Sequence, residues 1–140
     1  GLINAATEAG FTEGSVTVGA ESLLEWNPDI VLVNYYNDTI KPDDILKHPV
    51  LGALAAVKAA RVYKTPAIDP ATAAGGELAY QWFAEIGYPD LFDTNMRTAV
   101  VDGFQFLYGK TLNDEQVDKL MQMEWNGGSA GYADAFGRTR

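Results

Sequence analysis

The 140 residues contain no cysteine. That removes disulfides, thiolate nucleophiles and cysteine-based zinc or iron–sulfur sites. It leaves the compartment open, because many exported bacterial proteins also lack cysteine. His48 is the single histidine, so a multi-histidine metal centre is excluded. Basic residues are scarce: ten Lys and Arg face nineteen Asp and Glu, for a net charge of −9 and a pI near 4.4. A phosphate backbone is bound through Lys and Arg, so an acidic domain is a poor nucleic-acid partner. No apolar run approaches the roughly 20 residues that a membrane-spanning helix needs. A basic n-region followed by an apolar h-region is also missing. So are a nucleophile motif, a second histidine and a phosphate loop, which weighs against an enzyme.

The length fits one domain, able to bury roughly 68% of its unfolded surface. Leu2, Ile3, Ala6 and Ala9 fall at helical spacing with Gly10 as the helix end, so the chain opens inside a pattern and reads as a fragment. "SVTV" (Ser15 to Val18) predicts a short strand, and Gly19 to Trp26 a two-turn helix stopped by "NPD". "IVLV" (Ile30 to Val33) is continuously apolar, the mark of a strand covered on both faces in a parallel sheet. "KPDDILKH" predicts a helix with Pro42 near N1 and acids in its first turn. Helical content then runs on to about Ala59, and "RVYKTP" (Arg61 to Pro66) predicts the second strand. The loop "AIDPATAAGG" leads into a helix over Glu77 to Gly87. Further helices follow, one ending at Gly109 and one capped by Asn113. The expected fold class is α/β, a small parallel sheet flanked by helices, with C-terminal helices. Residues 1–125 are expected to form the domain and 126–140 an irregular tail.

In open parallel sheets ligands lie beyond the carboxyl ends of the strands. That selects Asn34, Tyr35, Tyr36 and Asn37 after the first strand and Thr65 to Asp69 after the second, with Thr12 to Ser15 as a third loop. Tyr35 and Tyr36 pair apolar faces with hydroxyls, suiting a chelate or macrocycle; ordinary loop packing is the plain alternative. Gly75 and Gly76 read as a helix start with bare N–H groups able to accept an anion, or as a flexible lead-in. Trp82 and Phe83 fall on the core stripe that continues to Ile86. His48 reads as a helix-end residue, and Asp43 and Asp44 as first-turn dipole partners. As general acid and base, Asp69 and Glu77 are the carboxylates an enzyme reading would use.

"VTVGAESLLEWNPDIVLVN", "ILKHPVLGALAAVKAARVYKTP" and "WFAEIGYPDLF" together resemble the C-terminal lobe of a bilobed substrate-binding protein. The family serves ABC importers of iron–siderophore, haem, cobalamin and related metal complexes, and of oxyanions. The resemblance covers Leu2 to Met123 and lacks the N-terminal lobe and the strand expected before the first helix. It implies a binding function without chemistry or cofactor, in the periplasm or outside the cell, with a lipoprotein anchor left open. It implies a ferric-siderophore type of ligand, with molybdate or tungstate as the alternative; the small, polar surroundings of Ser15 weigh against cobalamin. Glu21 sits where the family's lobes carry a glutamate that docks on a permease arginine. A non-transport interaction domain of the same fold is a further reading. With its neighbouring strand absent, "IVLV" would present an open edge, to be filled by rearrangement of the chain's own short strand or, as the favoured expectation, by pairing of two copies into a twofold dimer.

Overall fold

The computed structural model describes residues 1–69, 72–92 and 94–137. Two three-residue strands organise the first half. β1 (Val31–Val33) pairs in parallel with β2 (Val62–Lys64), in the register Val31 to Val62, Leu32 to Tyr63 and Val33 to Lys64. Between them runs α3 (Pro42–Leu46), a single 3₁₀ turn at Leu51–Ala53, and α4 (Ala55–Lys58). Ahead of β1 lie α1 (Ala5–Glu8) and α2 (Ala20–Trp26). After β2 come α5 (Ala73–Gly87), α6 (Met96–Tyr108), α7 (Asp114–Leu120) and α8 (Tyr132–Phe136).

Local chemistry explains most boundaries. α1 starts where the Asn4 side chain accepts from the Ala6 N–H, leaving Leu2 and Ile3 outside it. α2 ends at Asn27, held left-handed at φ 42°. The Asn27 side chain then reaches the start of α4 and accepts from the Ala55 N–H at 2.8 Å. One asparagine thus closes one helix and opens another. Pro42 stands at N1 of α3, where a missing N–H is harmless. Gly109 takes the left-handed C-cap position of α6, and Asn113 with Gln116 forms a reciprocal capping box on α7.

The faces of the strand pair are covered unequally. On one, Val33 and Val62 pack with Ala56, flanked by Val31, Ile45, Leu46 and Val57. On the other, Tyr63 joins the main core of Ile68, Leu78, Trp82, Ile86, Met96, Val100, Val117, Met121, Tyr132 and Phe136. Leu32, the register partner of Tyr63, shares that face yet remains 41% exposed. The expectation of a strand covered on both faces therefore holds for Val33 and fails for Leu32.

Two other expectations are corrected. Ser15 to Val18 is not a strand; Ser15, Val16 and Thr17 lie exposed with no ladder partner among the described residues. A strand exists only through its neighbour, and β-prone residues alone do not supply one. The expected irregular tail is, from Asn126 to Gly137, part of the core. Asn126, Ser129, Tyr132 and Phe136 are all buried; Arg138 to Arg140 fall outside the described residues. Asn126 and Ser129 close the outer edge of β2. The Asn126 amide accepts from the Lys64 N–H at 2.7 Å and donates to the Lys64 carbonyl at 3.0 Å. Ser129 Oγ donates to the Val62 carbonyl at 2.5 Å, and the Ala130 N–H bonds the Ala60 carbonyl. Side chains here satisfy the strand as a third strand would.

Candidate functional site

The β1 and β2 carboxyl ends lie side by side because the strands are parallel and in register. Asn34 to Asn37 therefore leave the sheet beside Thr65. Thr65 Oγ1 accepts from the Tyr35 N–H at 2.9 Å, tying the two exits together. Tyr35 and Tyr36 stack edge to face with centroids 5.4 Å apart. Tyr36 is 72% exposed, and Asn34 is exposed beside it. Asn37 is committed within the loop. Its carboxamide oxygen accepts from the Thr39 N–H, the Thr39 hydroxyl and the Ile40 N–H, an Asx turn that fixes the return toward α3.

Asp69 and Gly75 form a second group beyond β2. The Asp69 carbonyl accepts from the Thr72 N–H and hydroxyl. A Cβ on Gly75 would stand 1.9 Å from that oxygen, so only glycine permits the approach. The expected bare helix start is not what forms. α5 begins at Ala73, with Thr72 as its N-cap. Thr72 Oγ1 takes the Gly75 N–H at 2.9 Å, and the Thr72 carbonyl takes the Gly76 N–H at 2.8 Å. Both donors are engaged before any anion arrives.

Glu21 stands in the first turn of α2, exposed. His48 is exposed, its Nδ1 accepting from the Val50 N–H. Asp43 pairs with Lys47 at 2.5 Å, and beside it Asp44 caps the start of α3. Trp82 is fully buried. No cluster of three metal-ligating side chains occurs among the described residues, and no described helix is long and apolar enough to cross a membrane.

Sequence reasoning overlooked Lys64. It is fully buried at the end of β2, with its ammonium donating to the carbonyls of Asn37 and, at 3.5 Å, Ile40. The ammonium lies 4.3 Å from the centre of the Trp125 ring, and Lys41 approaches the same ring at 5.1 Å. Burial pulls the Lys64 pKa below its ordinary value; the Asp38 carboxylate works the other way. Nothing in "RVYKTP" distinguishes this lysine from a solvated one.

Of two concavities among the described residues, neither is lined by residues 34–37. One of about 290 Å³ sits at the amino end of β2, lined by Arg61, Tyr63, Glu85, Tyr132 and Phe136 among others. A wider one runs along α5 from Thr72 and Gly76 past Tyr80 to Phe92 and Thr94.

The family profile described as "Periplasmic binding protein" matches residues 1–68. Among solved structures, a periplasmic solute-binding protein from Veillonella parvula is similar over 89% of this chain and 39% of its own, at 28% identity and a TM-score of 0.73. CeuE from Helicobacter pylori, solved as a Ni-His complex and with Ni(II) bound, is similar in fold over 74% of this chain. It is 23% identical with a TM-score of 0.59, and 33% and 34% of its own length is covered in the two structures. No curated protein matches the sequence. The chain spans about two-fifths of the length of the Veillonella protein. The profile match over residues 1–68 and the fold shared over most of the chain make it similar to periplasmic solute-binding proteins.

Proposed function

We propose that the chain supplies the C-terminal side of a solute cleft in an ABC importer and delivers a metal complex, most simply a ferric chelate of siderophore type. The observation that carries this reading is the edge-to-face Tyr35–Tyr36 pair, Tyr36 exposed and Tyr35 half-buried, tied to the β2 exit through Thr65. Asn34, Tyr35 and Tyr36 are its solute-facing residues, and Asn37 shapes their loop. Two aromatic faces with hydroxyls suit a ligand that is part apolar and part chelating. The Gly75 and Gly76 N–H groups are already taken by Thr72, which favours a chelate over bare molybdate or tungstate. Asp69, exposed at the second exit, lies on the same side as a polar contact. The reading places the protein in the periplasm or outside the cell and involves no catalysis. It also assigns Glu21 to docking: a first-turn carboxylate is stabilised by the helix dipole and offers a planar acceptor to a permease arginine.

Isothermal titration tests the ligand class, using the 140-residue chain and the product of the whole reading frame that encodes it. The probes are ferric hydroxamate and catecholate siderophores, haem, Ni(II)–histidine and molybdate. Sub-micromolar binding of a ferric chelate by the complete product, with weak binding by the 140 residues, is expected. Tight binding of molybdate alone would overturn the chelate reading. Tight binding by the 140 residues alone would overturn the half-cleft reading.

A further inference from the structure

We propose that Lys64 is a positioning residue, a strut that sets the solute-side loop from beneath and couples it to the segment after α7. The inference rests on the reading that residues 34–37 face the solute.

Lys64 has no solvent exposure, and no carboxylate of the described residues lies within ion-pair distance of it. A buried ammonium without such a partner is unfavourable unless other groups replace its water. A methionine would fill the same space without that penalty. The replacing groups all belong to irregular chain: the Asn37 and Ile40 carbonyls and the face of Trp125. The two carbonyls bracket the turn that Asn37 Oδ1 closes from the other side. The loop between Tyr36 and α3 is thus gripped twice, by its own asparagine and by a lysine rising from β2. The lysine's own position is fixed behind it. Asn126 holds both backbone groups of Lys64, one residue after the tryptophan that carries the ammonium. Segment 125–126 therefore sets the lysine, and the lysine sets the loop.

Amide hydrogen exchange on the 140-residue chain tests the strut without any ligand. In Lys64→Met, exchange at Thr39 and Ile40 should rise about tenfold or more, the scale of a lost bond to a charged donor. Amides of β1 and of the α6 interior should stay within about twofold. Unchanged loop protection, or a uniform rise across the whole molecule, overturns the proposal. Should Lys64→Met fail to fold, Trp125→Phe is the second variant. It keeps a ring but weakens the cation contact, and a selective loop effect of about threefold is expected. A second measurement separates loop from function. The complete reading-frame product carrying the folded variant should lose affinity for the ferric chelate that the wild type binds, through faster dissociation. A loosened loop with unchanged affinity would overturn the functional half of the proposal while leaving the chelate reading in place. A wild type that binds no chelate defeats that reading and leaves the exchange result to judge the strut.

Discussion

The Tyr132 hydroxyl accepts from Trp82 Nε1 at 3.2 Å and donates to the Met121 carbonyl at 2.6 Å. One oxygen in the main core thus joins α5, the end of α7 and α8. Tyr132→Phe keeps the ring and strands a buried indole N–H and a buried carbonyl. Each unsatisfied group costs about 1–3 kcal/mol, and the pair shares one partner, so a loss of about 2–4 kcal/mol is expected. Urea unfolding should show a lower midpoint at unchanged slope.

The same hydroxyl sets an alkaline limit. Burial pushes the Tyr132 pKa well above its ordinary value of 10.0. The folded state then keeps a proton that the unfolded state releases, so stability is level below pH 10 and falls as pH rises beyond it. The buried Lys64, shifted down, gives the opposite slope, gaining stability as pH rises toward 10.5. Tyr132→Phe should flatten the decline above pH 10. Denaturation midpoints at pH 8, 9, 10 and 11 would show this, and an undiminished decline in the variant would remove Tyr132 as its source.

Arg97 fastens α6 to α7 and α8. Its guanidinium bonds Asp118 at 2.6 Å, Asp114 at 3.1 Å and the Phe136 carbonyl at 3.3 Å, while the side chain is 13% exposed. Four acceptors, the Asp114 carbonyl at 3.3 Å included, spread around one planar fork and are not matched by an ammonium. Arg97→Lys should therefore recover less than half of the stability lost in Arg97→Met, about 1–3 kcal/mol for a partly buried pair. Full recovery by lysine would show that charge alone matters.

Glu21→Lys should leave folding nearly unchanged, because the lost first-turn term is under about 1 kcal/mol. In a transport assay with the complete protein, uptake should fall through weaker permease association, since like charges then meet at the dock. Unchanged uptake by the lysine variant would count decisively against docking.

We also propose that copies of the chain associate along β1. Val31 and Val33 bond toward β2, so the Leu32 backbone faces outward beside an exposed apolar side chain. Such an edge is a template for another strand. Light scattering should detect dimers that Leu32→Lys suppresses. A strict monomer at high concentration would refute this.

Much of the fold was legible because local chemistry and tertiary outcome agree. Pro42, Gly109 and Asn113 mark helix ends by mechanisms that need no distant partner. The parallel pairing followed from apolar runs alternating with helices. The loops beyond the carboxyl ends of the strands were nameable because strand exits follow from topology. Where meaning came from distant groups, it was hidden. "SVTV" looks like a strand, but a strand requires a neighbour. Gly75 and Gly76 look like a bare helix start, but Thr72, one turn earlier, captures both N–H groups. The segment from Asn126 looks loose because glycine dominates its composition. The signal available there was the i, i+4 spacing of Tyr132 and Phe136, one buried stripe of a helix.

The closure of the outer edge of β2 by Asn126 and Ser129 has a consequence in time. These bonds join positions 62 and 67 residues apart, so the sheet is completed late, by contacts of high sequence separation. On a ribosome synthesising about 5–20 residues per second, β1 and β2 emerge seconds before the groups that close them. Through that interval Val62 and Lys64 expose the same hydrogen-bonding row that the finished protein conceals. A nascent chain stalled before residue 126 should therefore recruit chaperones or self-associate, and one stalled well beyond residue 137 should do so far less.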